Sequence, residues 1–139
     1  MKQIDLIKRF YALTMKSTDL AKQIGIHIDD MRMAGVKIDH LMVAYHNDEI
    51  IRLSADIQKM HLQREQISNK FGVSSSDFFD KVIKRLPEKM MHTMYRANKK
   101  LNDELLICKD KMEEQQRLME QQHAILSEAM SHASFEIKA

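Results

Sequence analysis

Apolar residues recur along this chain at alternating steps of three and four, the spacing that brings side chains onto one face of an α-helix. In the first segment the stripe runs through Leu6, Phe10, Leu13, Ser17, Leu20, Ile24, His27 and Met31. It predicts a helix over 3–34, ended by Gly35. A second stripe joins Val43, His46, Ile50, Leu53, Ile57, Met60, Arg64, Ile67 and Phe71, and Ile38, Leu41, Met42 and Tyr45 broaden its start. It predicts a helix over 37–71, with Gly72 placed to take the left-handed conformation of a helix cap. Ser74 and Asp77 have the spacing of a loose capping box and open a short helix over 75–86 that carries Phe78, Phe79, Val82 and Ile83. Pro87 stops or kinks that helix. Beyond it, Met91, Met94, Asn98, Leu101, Leu105, Cys108, Met112, Gln115, Met119, Gln122, Leu126 and Ala129 keep strict three-four alternation, a heptad seam that predicts a helix over 88–132. Leu106, Leu118, Ile125 and Met130 widen this face, as expected of a helix that touches two others. The sum is an all-α single domain, an antiparallel three-helix bundle with coiled-coil-like packing, one short extra helix and a long C-terminal helix. Residues 133–139 read as a frayed tail.

The helix lengths carry the first functional expectation. At 1.5 Å per residue the last helix reaches about 65 to 70 Å, against about 45 to 50 Å for the first two. It should therefore overhang the bundle. Beyond Cys108 its seam is diluted by Gln115 and Gln122, yet Met112, Met119, Leu126 and Met130 remain, too apolar to be left wet and too polar for a deep core. These four are expected to bind a partner protein. Arg64, Asn98 and Gln115 interrupt the seams with polar groups that need hydrogen-bond partners, which points to a role in fixing register. Asn102 lies one residue off the seam, ahead of Leu105 and Leu106, where periodicity gives no reason for an amide.

Composition narrows the classes further. The 139 residues are 44% apolar with only 3 glycines and 1 proline, enough for one core built from long helices. A net charge of +2 with acids and bases interspersed offers no extended field for a phosphate backbone, so nucleic acid is not an expected partner. The single cysteine, Cys108, sits in a seam and reads as core packing in a reducing compartment, so the cytoplasm is the expected location. Lys2, Asp5, Lys8 and Arg9 interrupt the N-terminus where a secretion signal would be apolar, and no stretch approaches the roughly 20 apolar residues of a membrane span. Twelve methionines supply unbranched, polarizable side chains suited to irregular contact surfaces. Seven histidines include no i, i+4 pair and no His-Glu-x-x-His motif, and no phosphate loop or nucleophile elbow occurs. Neither metal, cofactor nor catalytic residues are expected, and the chain does not read as an enzyme.

Leu53, Ile57, Met60 and Arg64 ahead of Phe71-Gly72, then Leu86-Pro87, then Arg96, Asn102 and Leu105-Leu106, follow an order that resembles the FlgN family of flagellar type III export chaperones. The resemblance covers roughly 40–126. Three positions depart from the family pattern: Ile50 stands where a lysine is common, Lys99 where a first asparagine is common, with Asn98 beside it, and Asp103 where a glycine follows the second. The resemblance implies a cytoplasmic chaperone that binds the C-terminal helical segments of hook-filament junction proteins, prevents their premature assembly and delivers them to the export apparatus. Asn102, Leu105, Leu106, Met112, Met119, Leu126 and Met130 would form the client contact. The export gate is a further partner the resemblance implies; a tyrosine near the C-terminus of some relatives is linked to docking there, no tyrosine follows Tyr95 here, and no gate-binding residue is assigned. The expected state is a monomer or a weak homodimer. The competing expectation is a structural or regulatory coiled-coil protein: a homodimer, a stalk protein of the export ATPase, or a sequestering regulator.

Overall fold

The computed structural model of the protein describes residues 2–138, with side chains described for 2–131. Helix α1 spans Gln3–Val36, α2 His40–Lys70, α3 Phe78–Lys81 and α4 Glu88–Lys138, and a 3-10 turn, Ile83–Arg85, joins α3 to α4. The described residues contain no strand. The fold is an all-α bundle of α1, α2 and α4. Helix α1 is its centre, packed along one side by α2 and along another by α4, while the backbones of α2 and α4 stay apart. Contacts between Asp29 and Lys111, and between Ala21 and Cys108, set α4 parallel to α1. The chain thus runs up, down and up.

The turns explain the topology. Gly35 does not end α1; the helix passes through it to Val36. The N–H of Ile38 donates to Gly35 O and that of Asp39 to Ala34 O, the paired bonds of a Schellman cap with Ile38 in the left-handed position at φ 57°. Asp39 then begins α2, its carboxylate accepting from the Met42 N–H at 3.2 Å. One residue closes α1 and opens α2, and so short a connection forces antiparallel neighbours. The same cap recurs after α2, where Gly72 holds φ 75° and the Val73 N–H reaches Ser68 O. The expected helix over 75–86 is broken instead: Asp77 makes no side-chain cap, α3 is 4 residues long, and the 3-10 turn follows. Aromatic burial overrides helix continuity here, because Phe78 is fully buried and stacks on Phe10 with ring centroids 4.5 Å apart. That burial is worth roughly 2 to 3 kcal/mol. Leu86 is extended before Pro87, whose carbonyl accepts the first α4 bond, from Met91 N–H.

Two apolar clusters fill the interior. The lower one joins Leu6, Ile7 and Phe10 of α1 to Ile67, Phe78, Ile83 and Met94. The upper one joins Ala21, Ile24, Ile28 and Met31 to Ile50, Leu53 and Cys108. Between them α1 presents Thr14, Ser17 and Thr18, all buried. Thr14 and Thr18 donate back to the carbonyls of Phe10 and Thr14 at 2.9 Å each, and Ser17 Oγ donates to Met60 Sδ. The polar layer is therefore satisfied locally. Small residues also let α4 approach closely, so that the Cys108 thiol donates to Ala21 O at 3.0 Å. Helix α4 runs beyond the expected end at 132, and the side chains of the tail expected over 133–139 lie outside the described residues.

Candidate partner-binding site

Helix α4 parts from the bundle near Leu118. Met94, Ala97, Leu101, Cys108 and Gln115 are buried against α1, whereas every residue from Met119 to Ser131 is exposed. The overhang is real and apolar on one side: Met119 is 51% exposed, Leu126 60% and Met130 63%. Ile125 is exposed as well. Helix α4 contains 51 residues, about 75 Å, against 34 residues and about 50 Å for α1.

Where α2 and α4 face each other, two clefts open along one seam. The upper cleft, about 770 Å³, lies between the start of α2 (His40, Val43, Ala44 and Asn47) and α4 (Met112, Gln115, Met119 and His123), with Met31 of α1 as its floor. It leads directly onto the overhang. Gln115 is buried here, and its Oε1 has no hydrogen-bond partner. A register role requires that partner, and here the amide is an acceptor left open on the wall of the cleft.

The lower cleft, about 480 Å³, is framed by His61, Arg64 and Glu65 of α2, Ser75 and Ser76 ahead of α3, Phe79 of α3, and Tyr95, Asn98, Asn102 and Leu105 of α4, above Phe10. Arg64 is only 8% exposed. Its Nη1 donates to Thr14 Oγ1 at a long 3.5 Å, and it forms no ion pair among the described residues. Burial pushes the guanidinium below its ordinary value, and no neighbouring charge opposes that effect. Glu65, on the same cleft, is turned to His61 at 3.1 Å.

The seven residues expected to bind a partner therefore divide. Asn102 and Leu105 line the lower cleft, Met112 and Met119 the upper one, and Leu126 and Met130 stand on the overhang. Leu106 lines neither cleft and is exposed. The structure adds His61, Phe79 and Tyr95 below and His40 and Asn47 above. In sequence Phe79 stands out only as an apolar residue of the short helix, and the other four only as neighbours of the α2 and α4 seams. The residues Ile38, Leu41, Met42 and Tyr45, expected to widen the packed face of α2, are instead exposed at the top of the bundle. Elsewhere, His27 and His46 meet with Nδ1 atoms 2.9 Å apart, a pair that links α1 to α2. No group of three or more metal-ligating side chains occurs among the described residues, and none of their helices is long and apolar enough to cross a membrane. The Cys108 thiol is pushed up by burial and then by Glu104.

No family model, curated protein or solved structure matches the chain.

Proposed function

We propose that this protein holds an amphipathic helical segment of another protein, in the manner of a flagellar export chaperone of the FlgN type whose clients are hook-filament junction proteins. The observation that carries the reading is the apolar face of α4, which leaves the bundle at Met119 and runs on, exposed, through Leu126 and Met130. A helix lying in the upper cleft and against the overhang would bury this face, the helix-in-groove mode by which unpaired amphipathic segments are recognised. The methionines suit that task, since they adapt to a foreign surface. In support of the family reading, Arg64, Asn102 and Leu105, all part of the motifs that resemble FlgN chaperones, line one cleft.

The test is co-purification of the tagged chain with the C-terminal segment of a junction protein, and titration of that segment by calorimetry. Replacing Met119 and Leu126 by lysine should weaken capture at least 10-fold, because two fully desolvated apolar anchors each contribute about 1 to 2 kcal/mol, while the melting temperature stays unchanged. Equal affinity would remove the overhang from the site.

A second reading has its own observation. The three-four alternation continues without interruption through the exposed part of α4, which is the spacing of a coiled coil with a second copy of itself. Sedimentation that shows a tight homodimer, abolished by the same lysines, would favour a structural role over a chaperone.

A further inference from the structure

The lower cleft holds a charge that no described residue neutralises. A guanidinium offers five N–H donors, and Arg64 uses one of them, in the long contact with Thr14. The remaining nitrogens are not sealed in the interior: Arg64 Nε and Nη2 keep some contact with solvent and make no other bond among the described residues. Arg64 lines the same cleft as Asn98, Asn102, Ser75 and Ser76. Around this cation stand amides and hydroxyls; Phe79, Tyr95 and Leu105 form the apolar wall beside it. The one carboxylate on the cleft, Glu65, is held by His61. A buried, uncompensated arginine flanked by donors is complementary to an anion, and an apolar wall alongside is complementary to the stripe of an amphipathic helix.

We propose that Arg64 receives the carboxylate of an aspartate or glutamate carried on the apolar stripe of the helix this protein holds. The inference rests on the reading that the chain binds a helical segment, and it names the chemistry that segment must have. An acidic residue would be set within its apolar face, paired two-pronged with Arg64 and flanked by Asn98 and Asn102. The lower and upper clefts lie in line, because α2 and α4 are antiparallel and His61 and Arg64 face the α4 start while His40 and Asn47 face its later turns. One continuous helix can therefore place its acid below and its apolar residues above. The acid would set the register in which the segment lies, since sliding by a turn leaves both charges buried and unpaired.

Calorimetric titration of a junction-protein C-terminal segment into the full chain tests this together with segment variants in which each Asp or Glu becomes Asn or Gln, and chain variants R64Q and R64K. One acid-to-amide change should weaken binding at least about 10-fold, the lower end of the coupling of close charge pairs at interfaces. R64Q should weaken the wild-type segment similarly and add nothing further to that amide variant. The segment variants leave the chain untouched, so a folding defect in R64Q cannot imitate the result. Binding of the segment with no sensitivity to any acid-to-amide change would overturn the proposal and leave the proposed function standing. No binding of the wild-type segment would overturn both. Equal competition by millimolar inorganic phosphate would make the cleft a general anion site, and a homodimer dissolved by R64Q would make it a self-association site; either result overturns the proposal.

Discussion

Ile38 is a β-branched residue in the left-handed region, at φ 57°, and is 72% exposed. For such a side chain that conformation costs about 1 to 2 kcal/mol, and its solvated side chain returns little of that cost in packing. The protein uses glycine at the equivalent place after α2, where Gly72 holds φ 75°. Ile38→Gly should accordingly raise stability by about 1 kcal/mol, read as a higher midpoint in urea unfolding, with α1 and α2 unchanged by circular dichroism. A lower midpoint would show that Ile38 makes contacts that matter. Cys108 gives a second residue-scale expectation. Its thiol is raised by burial, so the folded state holds the proton more firmly than the unfolded one. Stability from this group is complete below the ordinary thiol value of about 8.5 and is lost as pH climbs from there through the raised folded value. Cys108→Ala should flatten the fall in stability above about pH 8.5, and a thiol reagent should modify the native protein only at the rate of opening.

At the scale of the helix, sequence made α2 and the first half of α4 legible and α1 only in part. The α2 seam from His46 to Ile67 is the face that is buried, because its apolar residues stand at one period and one neighbour covers them. Helix α1 is buried by two neighbours, and its second face is Ile7, Thr14, Thr18, Ala21, Gly25 and Ile28, where small and hydroxylated residues leave almost no hydrophobic signal. Close approach, rather than apolarity, is what selects them. The break of α3 was hidden for a related reason: serines and Asp77 have cap spacing, but the burial of Phe78 decides the backbone. For the candidate site, the periodic methionines of α4 pointed to the overhang, whereas the clefts depend on how far α2 and α4 splay, which no single-helix pattern encodes. Arg64 read as a seam interruption for want of that distance.

For the whole molecule, the division at Leu118 separates what folds from what protrudes. A chain shortened after Leu118 keeps both apolar clusters, the polar layer and the Lys111–Asp29 ion pair at 2.8 Å. Its thermal midpoint should stay within a few degrees of the full chain, since surface positions outside the core contribute about 0.5 kcal/mol or less each, while affinity for a client segment falls. A collapse of the midpoint would show that the overhang folds back onto the bundle. A helix bridging Asn102 and Leu126 must cover about 36 Å, or roughly 24 residues, which bounds the segment to be tried. The geometry of α4 also has a mechanical side. Running parallel to α1 and continuing past its end, α4 is a rigid lever whose fulcrum lies near Gln115, with Cys108 bonded to Ala21 and Lys111 to Asp29 just inside it. A sideways load on the tip at Leu126 is multiplied into torque on those two bonds, so it is felt first at the joint between α4 and α1.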